Sequence, residues 1–167
     1  GLKLESDFQV LKDPRLTAVT QEDLEKQQAL LIQIRDKLTE THESILKIRE
    51  LRKQLDEWAK RDKDLSEPAK ALGKKLTAVE EELYQTKNKS GQDPLNYPIK
   101  LNNKLAALGG IVGSADTRPT DQSYQLHEEL TSKINAQLKT LDSLLNADLA
   151  NFNKLVREKN LPAVAAK

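Results

Sequence analysis

Apolar residues recur at heptad spacing in two stretches of the chain, residues 20–60 and 120–159, and neither stretch contains Pro or Gly. Heptad spacing places a narrow apolar seam along one side of a helix. The first stretch carries two rows, Leu24, Leu31, Leu38, Ile45 and Ile34, Ile48, Leu55. The second carries Tyr124, Leu138, Leu145, Phe152 and Ile134, Leu141, Leu155. The pattern therefore predicts two long helices, one in each half of the chain.

Capping residues set the predicted bounds of the first two helices. Helix 1 is predicted over 21–61, because Thr20 and Asp23 form an imperfect capping box in front of it. Ser66 is predicted to cap helix 2, whose apolar stripe ends near Lys87. Three polar residues interrupt the seam of helix 1 and are expected to set helix register: Gln27, Thr41 and Arg52.

Two further helices are predicted in the second half of the chain. Helix 3 is predicted over 98–113, where the pair Gly109-Gly110 is expected to permit close approach of another helix. Thr120 is predicted to cap helix 4, which should run over 121–160 and stop at Leu161-Pro162.

The predicted helix lengths distinguish two topologies. Helices 2 and 3, about 22 and about 16 residues long, together span roughly 57 Å, close to the roughly 60 Å of helix 1. The sequence therefore predicts an all-α fold over residues 20–160, an elongated up-down-up helical bundle. It has two long helices and a middle rod broken into two shorter helices. A squat four-helix bundle is the alternative, but it would leave half of each long seam uncovered. Residues 161–167 are expected to form a frayed tail.

Residues 1–19 are predicted to form a short extended arm rather than a helix. Leu2, Leu4, Phe8 and Val10 occupy even positions with mostly polar residues between them, an alternation typical of a strand. The segment Asp13-Pro14-Arg15 should end the arm, since a residue before Pro avoids the helical region. The arm is expected to pack on the bundle, or else to be the last strand of a preceding β-domain.

Composition and charge exclude several function classes. Charged residues make up 32% and aromatic residues 4%, which is typical of a long-helix protein. The net charge is +1, with acidic and basic residues interleaved, so no nucleic-acid face is predicted. No apolar run approaches about 20 residues, so no membrane insertion is predicted. The absence of cysteine excludes disulfides and thiolate metal sites.

The sequence offers little reaction chemistry. The two histidines, His42 and His127, lack a Glu three residues earlier, so the di-iron bundle motif is absent. The glycines at 109, 110 and 113 lack the lysine and preceding strand of a phosphate loop. We therefore predict no catalytic residue, no cofactor and no metal site, and expect this chain not to be an enzyme. A cleft lined by His127, Thr131 and Asp148 would argue the opposite.

Three residues are candidates for contact with a partner. Trp58, the only tryptophan, is expected to pack where helices 1 and 2 meet, or to contact a partner if it is exposed. Leu95 and Tyr97 lie in the loop over 88–98 and are expected to fill the gap between helices 2 and 3, or to serve a partner.

Three stretches of the chain together resemble a known family. They are Phe8-Gln-Val-Leu-Lys-Asp-Pro-Arg15, then Ile34-Arg-Asp-Lys-Leu38 with His42 and Ile48-Arg49, and finally Tyr97-Pro-Ile-Lys-Leu-Asn-Asn-Lys-Leu105 leading to Asp116-Thr-Arg-Pro-Thr-Asp-Gln-Ser-Tyr124. This arrangement resembles the C-terminal region of exported bacterial proteins with sialidase-type (BNR/Asp-box) or sortilin-like β-propeller repeats. These proteins are often labelled glycosyl hydrolases.

The resemblance implies a non-catalytic accessory helical domain of a larger exported protein, serving assembly, docking or spacing. Any glycosidase chemistry would belong to the propeller. The implied location is periplasmic or extracellular, and the implied partners are other domains of the parent chain or another protein. Homo-oligomers are left open. Because the chain starts at Gly1 without Met, we expect a fragment. The alternative is a carbohydrate- or peptide-binding module that uses the loops at 88–98 and 114–119.

Overall fold

The structure, a computed structural model, describes residues 3–9 and 11–159, and these residues contain no strand. The helices are α1 (Gln21–Arg61), α2 (Lys63–Leu83), α3 (Leu101–Val112), α4 (Asp121–Ser143) and α5 (Ala150–Glu158). A π-helical segment, Leu144–Leu149, joins α4 to α5 without a break, so residues 121–158 form one rod, here the fourth rod. The predicted all-α class is confirmed. Leu2, Val10 and the predicted tail at 161–167 lie outside the described residues.

Contacts between distant residues establish the path of the chain. Near the start of α1, Gln27 donates to the carbonyl of Val112 at the end of α3. Farther along α1, Arg49 donates to Glu80 on α2. The lower part of the fourth rod meets α1 where Lys37 donates to Asn135. Together these contacts show α1 running up, α2 and then α3 running down beside it, and the fourth rod running up. The predicted up-down-up bundle with a broken middle rod is confirmed.

A single apolar core extends through the bundle and includes residues beyond the predicted seams. Seven further apolar residues of the two long rods are buried in it: Leu30, Leu51, Trp58, Leu130, Leu144, Leu149 and Val156. They widen each narrow seam into a face that two neighbouring helices cover. Leu46 of α1, also outside the predicted seams, is 64% exposed. The seams therefore close on the middle rod of the same chain.

The π-helical segment explains one difference from the predicted seam. Leu155 was expected in the seam, but 40% of it is exposed, whereas Val156 is fully buried. Each hydrogen bond of a π-helix encloses one residue more than that of an α-helix. The segment Leu144–Leu149 therefore accounts for the change from Leu155 to Val156, while Phe152 stays buried at its predicted position.

Both long rods begin at the predicted caps. The capping box of Thr20 and Asp23 is complete: the Thr20 hydroxyl accepts from the Asp23 amide, and the Asp23 carboxylate accepts from the Thr20 amide. At the start of α4, Thr120 accepts from the Ser123 amide at 3.2 Å. The prediction of 21–61 for helix 1 agrees with the observed bounds of α1.

The predicted start of helix 2 at Ser66 is wrong. Asp62 caps α2, because its Oδ1 accepts from the amides of Asp64 at 2.8 Å and Leu65 at 3.4 Å. Its backbone N–H still donates to Trp58 of α1. One residue therefore ends α1 and starts α2, and the turn between them is as short as it can be.

The arm is not packed on the bundle as expected. Leu4, Phe8 and Leu11 are 84%, 88% and 73% exposed. In the second half of the predicted arm, the Lys12 ammonium donates to the carbonyls of Leu16 and Val19, which closes a compact turn in front of α1. Residues 3–9 form no helix, strand or turn, and no backbone–backbone hydrogen bond joins them to the rest of the described chain.

Candidate functional site

The break in the middle rod is the most distinctive local feature of the bundle. Residues 84–100, here the midpoint loop, connect α2 to α3. The loop is longer than predicted, because α2 ends before its predicted end and α3 begins after its predicted start. Helix 2 was predicted to reach Lys87 and helix 3 to begin at residue 98. The buried side chain of Gln85 explains the difference. It donates to the Pro98 carbonyl at 2.8 Å and accepts from the Lys87 amide at 3.2 Å, so both backbone groups are satisfied without a helix.

Asp93 organises the outer part of the midpoint loop. Its carboxylate accepts from the backbone amides of Lys89 and Ser90 and from the Ser90 hydroxyl. These hydrogen bonds favour the charged form, with the Lys89 amide contributing most, and they hold the pKa of Asp93 below its ordinary value of 3.8. The hydrogen bonds of Asp93 therefore hold the outer part of the midpoint loop in one conformation.

A cleft of about 580 Å³, here the midpoint cleft, lies where this loop meets the helices. Its apolar surface includes Tyr97, Ile99 and Leu101, and α2 contributes Glu81 and Glu82. Four lysines surround it: Lys87, Lys100, Lys104 and Lys133. Its lining therefore combines apolar side chains with an excess of positive charge.

The lysines of the cleft differ in how they are partnered. Lys100 pairs with Glu82 at 3.4 Å, and Lys133 pairs with Glu129 at 2.5 Å. Lys87 lies 5.8 Å from the centre of the Tyr97 ring. Lys104 forms no ion pair with any described residue. The pKa of Glu129 is lowered by its hydrogen bond from Lys133 and, to a smaller extent, by the charge of Lys104, so an incoming carboxylate would share Lys104 with Glu129.

The three predicted contact residues have different environments. Trp58 is buried, with the Arg61 guanidinium 5.4 Å from its ring centre, as expected for a residue that packs where α1 meets α2. Leu95 is 87% exposed and does not fill the gap between α2 and α3. Tyr97 is 37% exposed and forms part of the midpoint cleft. Tyr97 and Leu95 are therefore the two that a partner could reach.

The loop over 114–119 lies elsewhere. Its Ala115 carbonyl accepts from Gln27 near the start of α1, and none of its residues lines the midpoint cleft. The length of α3, about 18 Å at 1.5 Å per residue, separates it from the midpoint loop. The structure therefore does not bring the two predicted binding loops together.

The histidines do not form a catalytic constellation with the residues named for it. His127 lies 3.4 Å from the Thr131 hydroxyl, but Asp148 pairs with Lys75 of α2 farther up the rod. Burial and, secondarily, the charge of Lys37 lower the pKa of His127. His42 contacts the Asn102 amide at 3.3 Å. Among the described residues, no group of three His, Cys, Asp or Glu side chains could hold a metal ion.

Two polar residues of the helix 1 seam link it to its neighbours. Gln27 donates to the carbonyls of Val112 and Ala115, both at 2.6 Å, and so caps the end of α3. Arg52 donates to Glu80 at 2.8 Å, and Arg49 donates to the same carboxylate at 2.6 Å. The third, Thr41, bonds the Lys37 carbonyl of its own helix. The expectation that these residues fix helix register agrees with the contacts of Gln27 and Arg52.

Glu80 itself was missed at the level of sequence. It is only 2% exposed, although it belongs to a run of glutamates that suggests a solvated face. Its position next to Val79 and between Leu76 and Leu83, on the apolar stripe of α2, is the signal that could have revealed it.

Comparison with protein-family models, curated proteins and solved structures finds no match to this chain. Within residues 3–9 and 11–159, no helix has both the length and the apolar character needed to cross a membrane.

Proposed function

We propose that this chain is a non-catalytic accessory helical domain of a larger exported protein, and that it acts as a spacer. The observation that carries the proposal is the up-down-up path of the chain. With three layers, the chain enters at Gln21 and leaves at Glu158, at opposite ends of the bundle. Because α1 has 41 residues, those ends lie about 60 Å apart. Domains attached at the two ends would be held apart by that distance.

Polar contacts at several heights support a spacer that keeps its shape. Near the bottom, Gln27 holds the end of α3, and near the middle Glu80 holds two arginines of α1. At the top, Lys159 pairs with Asp62 at 3.5 Å and with Asp64 at 2.5 Å. A bundle linked in this way along its length resists bending better than one joined only through its core.

The mass of the native protein is the first test. An antibody raised against residues 21–158 should detect, in the source cells, a protein well above the 18.8 kDa of this chain. A native protein of 18.8 kDa would contradict the accessory role.

The second test is deletion within that larger protein. Removing residues 20–159 should shorten its largest dimension by about 60 Å in small-angle scattering and should alter its assembly or its retention of partners. Replacement by a flexible Gly/Ser linker of equal residue number is the matched control, because it keeps the connection but not the fixed distance. If neither change affects assembly, stability or partner retention, the spacer proposal fails.

A second candidate function is peptide or carbohydrate binding, and the midpoint cleft is the observation that favours it. Tyr97 would supply an apolar face, and the lysines would supply donors. A thermal-shift screen with glycans and peptides should then show stabilisation that Tyr97→Ala removes, whereas Tyr124→Ala, at a site of similar exposure, should not. A screen without any ligand-dependent shift would count against this function.

A further inference from the structure

Residues 3–9 of the N-terminal arm expose apolar and acidic side chains that no other described part of the chain covers. Leu4 and Phe8 are more than four-fifths exposed, and Glu5 and Asp7 lie between them. Glu5 pairs with Lys3, but Asp7 forms no ion pair with any described residue. Residues 3–9 form no backbone–backbone hydrogen bond with the described part of the chain. Residues 3–9 are therefore free of secondary structure, apolar at Leu4 and Phe8 and acidic between them.

The midpoint cleft is complementary to this arm. It offers apolar surface at Tyr97 and Ile99. It also offers an ammonium at Lys104 that forms no ion pair within 4.0 Å with a described residue, although its charge acts on Glu129. The backbone N–H and C=O of Ile99 form no hydrogen bond with a described residue, so an extended segment could pair there. Apolar groups, opposite charges and backbone groups thus match between two surfaces of one molecule.

The arm cannot deliver Phe8 to the cleft of its own copy. The start of α3 beside the cleft lies level with His42, about 22 residues or 33 Å along α1 from Thr20. Lys12 is held beside Val19 at the lower end of the bundle. The four residues from Lys12 to Phe8 span at most about 14 Å. While the turn closed by Lys12 persists, only the cleft of another copy is within reach.

We propose that this chain self-associates by exchange of arms, with residues 3–9 of one copy bound in the midpoint cleft of a second copy. A two-fold arrangement lets each copy give its arm and receive the other, which closes the assembly at a dimer. Self-association of this kind does not depend on the bundle being an accessory domain.

Sedimentation and light scattering of the 167-residue chain test the assembly directly. A dimer of twice 18.8 kDa is expected, with a dissociation constant that Phe8→Ala raises at least about ten-fold through loss of apolar burial. Leu46→Ala is the matched control, because Leu46 is exposed on α1 and does not line the cleft. A chain that stays monomeric up to about 1 mM, or a dimer insensitive to Phe8→Ala, overturns the proposal.

A charge exchange tests the pairing of arm and cleft. Lys104→Glu and Asp7→Lys should each weaken the dimer several-fold, and the two together should restore it, because the opposite charges are then interchanged. Lys139→Glu, on α4 outside the cleft, should have little effect. Failure of the double variant to recover would overturn the assignment of this contact.

Disulfide trapping distinguishes exchange between copies from docking within one. The chain has no cysteine, so a mixture of Phe8→Cys and Ile99→Cys chains should form a disulfide-linked pair on mild oxidation. Leu155→Cys replaces Ile99→Cys as the control, because both residues are 40% exposed. When one chain carries both Phe8→Cys and Ile99→Cys, the bond should still join two copies. A bond within one copy, or no preference over the control, overturns the exchange.

Discussion

The upper and lower halves of the bundle share two long rods but are held together by different chemistry. In the upper half, α1 packs on α2, and the polar contacts are ionic: Glu80 with two arginines, and Lys75 with Asp148. In the lower half, α1 packs on α3, and the polar contacts are hydrogen bonds to uncharged acceptors, from Gln27 to two carbonyls and from Lys37 to Asn135. The lower half also has a close approach at Gly109. The midpoint loop separates the two regimes.

The difference shows that one heptad seam can serve two kinds of partner. In the upper half, α2 has 21 residues and buries Glu80 among its leucines. Arg49 and Arg52 of α1 compensate the negative charge of Glu80. In the lower half α3 has only 12 residues, and it gains contact by approaching closely. Substitutions that target each kind of contact should therefore have separate and predictable effects.

The largest effect is expected in the lower half at Gly109. A Cβ at this position would lie 3.3 Å from Ile34 Cγ2, so the branched side chain of Gly109→Val would push α3 away from α1. We expect a loss of about 3 kcal/mol in the free energy of unfolding, measured by urea denaturation. Gly110→Val is the control, because a Cβ there meets nothing within 4 Å. Equal losses for both variants would show that the close approach is not tight.

The next largest effect is expected in the upper half at Glu80. Glu80→Gln removes the charge that holds Arg49 and Arg52, and should lower the free energy of unfolding by about 2 kcal/mol. Both arginine side chains are partly exposed, so solvent limits the loss. The exposed neighbour Glu81, changed to Gln, should have almost no effect in the same urea titration. If Glu80→Gln were neutral, the ionic contact would not hold the upper half.

A smaller effect is expected at Gln27. Gln27→Ala removes one hydrogen bond to Val112 at the end of α3 and one to Ala115 in the following loop. It should cost about 1 kcal/mol, with faster amide exchange confined to the last turn of α3 and that loop. Gln28→Ala, on the exposed side of the same helix turn, serves as the control. Exchange that instead accelerates throughout the bundle would contradict a local capping role.

The smallest effect concerns the midpoint loop between the halves. Because the folded pKa of Asp93 lies below its ordinary value, its contribution is complete above about pH 4 and is lost as the pH falls below 3.8. The amide signals of Lys89 and Ser90 should move over that range in NMR spectra, with the bundle intact. Asp93→Asn should abolish the transition. A midpoint above the ordinary value would contradict the hydrogen-bonded arrangement.

Much of the fold could be predicted, because heptad rows and caps are local signals. Thr20 and Thr120 lie directly before apolar periodicity, and both cap helices in the structure. The matched lengths of the rods were enough to favour the layered topology. The topology needed no knowledge of individual contacts.

The misplaced boundaries share a physical cause, since each depends on one side chain that satisfies backbone groups. Asp62 accepts from two amides and starts α2 before the predicted cap at Ser66. Gln85 satisfies the groups that would otherwise extend α2 and α3. The midpoint cleft follows from these contacts, so its shape could not be predicted from periodicity. Tyr97 was identified as a candidate, but the lysines around it were not.

The parallel course of α1 and the fourth rod has a mechanical consequence. A pull applied between Thr20 and Lys159 acts along the helix axes, because the two attachment points lie at opposite ends. Such a load pulls the helices in opposite directions along their axes, so that all contacts between them are loaded at the same time. The contacts are not broken one after another. The bundle should therefore yield in a single step in an optical-tweezers experiment. A staircase of partial extensions would show instead that its two halves give way separately.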